Sequence, residues 1–170
     1  MSELEDAVRR WAMGVYPVEA GAELLIRQGK AIYEGAPWLR ELGPEGGQIM
    51  VAIEPETLWV NSRSWSGSEQ RLVNVAVSLL DSEPMVNLHD AVTGLDREPL
   101  ELVLAAVAHA AGSHEARMPI IEGGKLTGYT EPANAHPWPD QLNTIGTPAR
   151  SSRALAHDAS DGVGGLGRSL

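Results

Sequence analysis

The sequence predicts a mainly α-helical fold: a small domain of about four helices with one or two short strands, followed by an extended or disordered C-terminal tail. Apolar residues recur at helical spacing in four segments before Gly112, and helix-start signals precede them. Residues 113–170 are instead rich in Pro, Gly, Ser and Asn without a sustained period. We therefore expect a helical domain over residues 1–112, with an extended arm and flexible tail over residues 113–170.

The first two helices are predicted within the first thirty residues. Ser2 and Glu5 have the spacing of a capping box, and an apolar stripe follows them, so a helix of about three turns begins there. Pro17 suits the first turn of a second helix, which extends over residues 18–28 and ends at Gly29.

A turn-rich stretch follows the second helix. Residues 36–42 are expected to form one short helix, which the following Gly-Pro pair stops. Residues 48–53 are apolar and partly β-branched, which predicts a strand, and residues 58–60 are a candidate second strand. Residues 54–57 between them are interpreted as a turn.

The clearest helix begins at Ser66. Ser66 and Glu69 again have capping-box spacing, and apolar side chains follow on one face. The last helix is predicted to start after the turn at residues 93–96 and to extend to about Ala111, where Gly112 stops it.

The charge and cysteine content exclude several classes of function. The net charge is -10, and most of the acidic excess lies in residues 1–112, so neither nucleic acid nor an anionic membrane is an expected partner. The sequence contains no cysteine, which excludes disulfides and thiolate catalysis. Residues 100–111 form the longest apolar stretch and are too short for a membrane span. With an acidic N-terminus and no signal-like apolar core, a cytoplasmic location is expected.

Residues 66–96 resemble, in the right order, three short motifs of the ABC-type ATPases. Residues 66–72 resemble the signature motif that opens a helix, residues 84–90 resemble the Walker B strand, and residues 93–96 resemble the D-loop. The resemblance implies a degenerate nucleotide-binding protein as one alternative function. Its candidate nucleotide or metal residues are Ser66, Gln70, His89, Asp90 and His109.

Two departures from that family argue against an active ATPase. Ala91 stands where the family has its catalytic glutamate, and the Gly-x-x-x-x-Gly-Lys-Ser/Thr loop that cradles phosphates does not occur in the sequence. Ser66 and Glu69 also have a purely structural interpretation as a helix cap.

The histidines do not predict a metal site. His109 and His114 are five residues apart, with the helix-ending Gly112 between them, which matches no established ligand spacing. His109 lies beside the apolar face of its helix, where we expect a partly buried, hydrogen-bonded histidine. No cofactor is expected.

Three tryptophans and the C-terminus are candidate contact points for a protein partner. Trp38, Trp65 and Trp138 lie in turn-like segments and are candidate interface anchors. Residues 161–170 are similar to the short Gly-Leu/Ile-Gly-Ser-Leu tags that load cargo into encapsulin shells, although Arg168 is an insertion in that pattern. This similarity implies a second alternative, an accessory or cargo component of a protein shell, with Leu166 and Leu170 as contact residues.

The sequence contains no assembled catalytic motif, since the Gly-x-Ser-x-Gly pattern of a nucleophile elbow is also missing. We therefore expect a non-enzymatic interaction or regulatory module. It would act through its acidic helical body and its C-terminal arm on a protein partner or a second copy of the chain.

Overall fold

Six α-helices and two antiparallel two-stranded sheets form the part of the chain that the computed structural model describes, residues 2–81 and 86–139. The predicted mainly α class is confirmed, and so are its four long helices. The helices are α1 (Glu3–Ala12), α2 (Tyr16–Gln28), α3 (Pro55–Asn61), α4 (Gly67–Leu80), α5 (Leu88–Val92) and α6 (Arg97–Ala110). The strands are β1 (Leu39–Glu45), β2 (Gln48–Ile53), β3 (Pro119–Glu122) and β4 (Lys125–Tyr129).

The predicted helix-start signals function as expected. At both α1 and α4 the capping box is complete: the serine hydroxyl accepts the N–H of the glutamate three residues on, and that glutamate accepts the serine N–H. At the end of α2, Gly29 has a φ of 76°, the left-handed conformation that commonly ends a helix.

Two glycine pairs form the tight turns of the two hairpins. Gly46 and Gly47 join β1 to β2, Gly123 and Gly124 join β3 to β4, and all four have positive φ. Two-residue hairpin turns of this kind need positive φ at both central residues, which glycine adopts without steric cost. The β3–β4 hairpin was not predicted, although its glycine pair lies between two short apolar segments.

Two expectations for the segment before α4 are wrong. The helix expected over residues 36–42 is largely strand β1, because its backbone pairs with β2 from Leu39 opposite Ile53 to Leu42 opposite Met50. The turn and strand expected over residues 54–60 are helix α3. Pro55 occupies the first turn of that helix, and Leu58 is fully buried.

Helix α2 is the central element of the core and packs against α1, α4 and α6. Its small residues allow a close approach: a Cβ built on Gly21 would lie 2.9 Å from the carbonyl oxygen of Ala76 and 2.9 Å from Cγ of Leu80 on α4. The largest fully buried side chains of the core are Leu24, Leu25, Leu58, Val8, Val73 and Val77.

The chain leaves the body after Gly112, forms the β3–β4 hairpin, and returns to the core at Trp138, which is 4% exposed. None of the helices in the described part of the chain combines the length and the apolar character needed to cross a membrane. The predicted flexible tail, with Leu166 and Leu170, lies outside the described residues.

We expect Gly21→Ala to lower the free energy of unfolding. Overpacking costs about 1–3 kcal/mol, which exceeds the roughly 1 kcal/mol that alanine gains over glycine within a helix. Chemical denaturation measures the difference. Gly43→Ala is the matched control, because a Cβ there has no neighbour within 4 Å and its effect should stay within about 0.5 kcal/mol. A Gly21→Ala variant as stable as the wild type would show that α2 and α4 separate without cost.

Candidate functional site

Three side chains from separate elements converge at one end of the helical body. Glu19 lies in the first turn of α2, His109 lies in the last turn of α6, and His114 lies on the 3₁₀ turn Ser113–Glu115 that follows. Nε2 of His109 hydrogen bonds Oε2 of Glu19 at 2.8 Å. One donor atom from each residue lies within 4.8 Å of the others, and all three side chains are half-buried. We call these residues the histidine cluster.

Aromatic contacts hold the two imidazoles of this cluster. The rings of His109 and His114 stack with centroids 4.2 Å apart and planes 7° from parallel. Tyr16 meets both edge-on, at 6.2 Å from His109 and 4.8 Å from His114. Gly112 supplies the room and the φ of 71° that this turn requires, since a Cβ there would lie 3.2 Å from the Tyr16 ring.

Both oxygens of Glu19 accept hydrogen bonds. Burial raises the pKa of Glu19, but the Gly14 N–H at 2.7 Å and the His109 imidazole outweigh it, so the pKa falls below its usual value. The carboxylate therefore stays ionised next to the two imidazoles. The pKa of Tyr16 is raised above its usual value, because the Tyr16 hydroxyl donates a hydrogen bond to the Glu115 carboxylate.

Two members of the cluster, Glu19 and His109, line a cleft of about 270 Å³ between α1, α2, α6 and the returning chain. Trp138 forms one wall, with its ring centroid 6.4 Å from that of His109 and the Arg27 guanidinium 4.8 Å above it. Glu23 also lines the cleft and ion-pairs with Arg9 at 2.8 Å and with Arg27 at 2.7 Å. The cleft is therefore lined by both charged and apolar side chains.

The cluster offers two kinds of chemistry. A carboxylate hydrogen bonded to an imidazole orients the ring, as in general-base pairs. Two imidazole nitrogens and one carboxylate oxygen are also a donor set that suits Zn²⁺ and neighbouring transition metals. His109 was a candidate in the sequence, and Glu19 was not.

The other residues that the sequence predicted for nucleotide or metal binding either form local hydrogen bonds or are exposed to solvent. Ser66 caps α4 through Glu69, and the side-chain amide of Gln70 donates to the carbonyl of Arg63. His89 and Asp90 are exposed on α5. Within residues 2–81 and 86–139, no hydrogen bond or ring contact joins His109 to any of these four.

The structure places two of the three candidate tryptophans in the core. Trp38 is 3% exposed and donates its indole N–H to the carbonyl of Ala31 at 2.8 Å, and Trp138 is also buried. Trp65 is half-buried, with the Lys30 ammonium 4.7 Å above its ring. Trp38 and Trp138 are therefore core residues of the body, and a role in an interface stays a prediction for all three tryptophans.

The β3–β4 hairpin has one apolar face. Cross-strand partners share a face, so Pro119 with Tyr129 and Ile121 with Leu126 point the same way. The last three are 60%, 60% and 54% exposed respectively. We call these four residues the hairpin face. The opposite face carries Ile120 and the pair of Glu122 with Lys125.

Helix α6 also has an exposed apolar stripe. Leu100, Leu104 and Val107 recur at the spacing of one helical face and are 37%, 44% and 51% exposed. We call these three residues the helix stripe. The opposite side of α6, which includes Ala105 and Ala106, is buried against the body.

In comparisons with models of known families, with curated proteins and with solved structures, none matches this chain. The histidine cluster, the hairpin face and the helix stripe are the features of the structure that bear on function.

We expect Ser66→Ala to destabilise the fold by about 0.5–2 kcal/mol, because the first turn of α4 loses its side-chain cap. Thermal or urea unfolding measures the loss. Ser64→Ala, an exposed serine two residues earlier, is the control and should be nearly neutral. If Ser66→Ala were as stable as the wild type, Ser66 would not be needed as a helix cap, and the interpretation of residues 66–72 as a signature motif would be favoured.

Glu69 gives α4 a pH-dependent contribution to stability. The Lys30 ammonium at 2.7 Å and the Ser66 N–H lower the pKa of Glu69 below its ordinary value of 4.5. The carboxylate therefore stabilises the fold above that value, and the contribution is lost as the pH falls through the folded-state pKa. Glu69→Gln keeps the capping geometry but removes the charge. The variant should be less stable than wild type at neutral pH and equal to it in acid, as measured by urea unfolding. A difference that stays constant with pH would contradict this.

Proposed function

We propose that this protein is a non-enzymatic interaction module whose first partner is a second copy of the chain. The hairpin face of one copy packs on the helix stripe of the other. The observation that carries the proposal is the hairpin face, where three large side chains are more than half exposed.

The hairpin has little to stabilise it within one chain. Two-stranded hairpins are marginally stable in water and need a third strand or a packed face. Every described side chain from Pro119 to Thr127 is exposed, so this hairpin buries no face of its own. Packing Ile121 and Leu126 against an apolar surface would supply the missing burial, at about 25 cal/mol for each Å² removed from water.

A second copy suits the hairpin face because the same chain also carries the helix stripe, an exposed apolar surface. In a two-fold dimer each hairpin face meets the other copy's helix stripe, so one contact, made twice, covers all four surfaces. Neither surface contains a charged residue, so the contact buries no unpaired charge. Lys125 and Glu122, which oppose each other on the other face, would stay in water.

The net charge supports a protein partner rather than a polyanion. The chain carries -10 overall, with the excess in the body that presents the helix stripe. A nucleic acid would meet repulsion there, whereas the contact surfaces themselves are neutral.

Sedimentation equilibrium of the purified protein tests this proposal. We expect a reversible dimer in the wild type, and a monomer in Ile121→Asp because the charge would be buried at the centre of the contact. Ile120→Asp on the opposite face is the matched control and should remain dimeric. A wild type that stays monomeric at high concentration, or an Ile120→Asp variant that dissociates as Ile121→Asp does, would contradict the proposal.

Disulfide trapping locates the contact. Because the natural sequence contains no cysteine, one cysteine can be placed at Ile121 and another at Leu104 in separate variants without background. Mixing the two should give a cross-linked heterodimer under mild oxidation, since a disulfide requires Cα atoms within about 7 Å. A Ser78→Cys variant, on the exposed side of α4, is the control for random collision.

A further inference from the structure

The histidine cluster points to a second property, which does not depend on dimerisation. We propose that Glu19, His109 and His114 bind a divalent transition-metal ion of the Zn²⁺ class, with the fourth coordination position open to the cleft beside Trp138.

The donor chemistry is the first argument. Two imidazoles and one carboxylate are the protein ligands of a common class of open Zn²⁺ site, in which the fourth position holds water or a ligand. All three groups belong to different elements, α2, α6 and the 3₁₀ turn, and all are half-buried. Glu19 is also held in place by the Gly14 N–H at 2.7 Å.

The distances are the second argument. Donor atoms bound to one tetrahedral Zn²⁺ at about 2.0–2.1 Å lie about 3.4 Å from each other. The three donors here lie within 4.8 Å, so the set needs to contract by at most about 1.4 Å. The ion would enter between His109 and Glu19, in place of their direct 2.8 Å hydrogen bond, and the parallel imidazoles would tilt so that their lone pairs converge.

His114 provides the third argument. Its Nδ1 is fully buried, and among the described residues it has no hydrogen-bond partner. A buried polar atom left without a partner is destabilising, and most buried side-chain polar atoms in proteins have a hydrogen-bond partner. Coordination of a metal through Nδ1 would satisfy this atom.

The surroundings would support the coordinated state. The Tyr16 ring packs edge-on against both imidazoles. The turn that carries His114 is tied to the returning chain by Ser113, whose hydroxyl donates to Asn134 at 2.8 Å and accepts the N–H of Ala135 at 3.3 Å. These contacts limit the freedom of the third ligand, as outer contacts do in established metal sites.

Metal titration of full-length protein without a histidine tag tests this proposal. Zn²⁺ in competition with a chromophoric chelator gives the affinity, and Co²⁺ gives visible absorption bands that report the coordination number. We expect one equivalent to bind. His114→Ala and Glu19→Gln should each weaken binding by more than about 100-fold, beyond the 10–100-fold that loss of an outer contact costs.

His89→Ala is the matched control, because His89 is exposed on α5 and outside the cluster. It should bind the metal as the wild type does. Wild-type protein that takes up no Zn²⁺ would overturn the proposal, and so would His114→Ala binding with wild-type affinity or His89→Ala losing it.

NMR of the wild-type protein tests the proposal even if one of the variants does not fold. Of the five histidines, only His109 and His114 should shift in imidazole NMR spectra on addition of Zn²⁺. Equal perturbation of His89 or His136 would show surface binding instead and would also overturn the proposal.

Discussion

The fold depends on how closely α2 approaches α4. At Gly21 the two helices leave no space for even one methyl group, and Ala20 and Ala22 on either side are buried as well. This approach lets a single helix contact α1, α4 and α6 together, so that Leu24 and Leu25 become the centre of the core. The same helix bears Glu19, Glu23 and Arg27 on its other side. The packing of small residues therefore fixes the position of these charged side chains of the cleft, one of which belongs to the histidine cluster.

The histidine cluster shows how a polar site is assembled on such a helix. Glu19 and His109 are 90 residues apart in sequence, and their hydrogen bond joins α2 to α6. Burial by itself would favour the neutral form of Glu19. The Gly14 N–H and the imidazole reverse that preference, so the carboxylate remains charged although it is half-buried. The charge has a defined partner, and this distinguishes Glu19 from the many solvated carboxylates of the surface.

Much of the helical framework could be predicted from local signals, because a capping box or a helix-ending glycine acts within a few residues. Ser2 and Ser66 are such signals, and both caps are complete in the structure. Strand β1 and helix α3 could not be predicted from local signals. Strand β1 depends on its pairing with β2, and helix α3 depends on the burial of Leu58 in the core. The β3–β4 hairpin had a readable signal in Gly123 and Gly124, which was missed because the surrounding composition resembles a linker. Of the site, only His109 was found. Nothing in the local sequence of Glu19 separates it from its acidic neighbours, because its partner comes from the other end of the domain.

The return of the chain at Trp138 has a mechanical consequence. This indole is the last described core residue, and it forms a wall of the cleft beside the histidine cluster. Its ring packs beside His109 and under the Arg27 guanidinium, so displacing Trp138 from the core would break both contacts and remove part of the cleft lining. Truncation of a buried tryptophan to alanine costs about 3–5 kcal/mol, so this one side chain contributes strongly to holding the returning segment on the body. Movement of that segment away from the body and exposure of the cleft would therefore occur together.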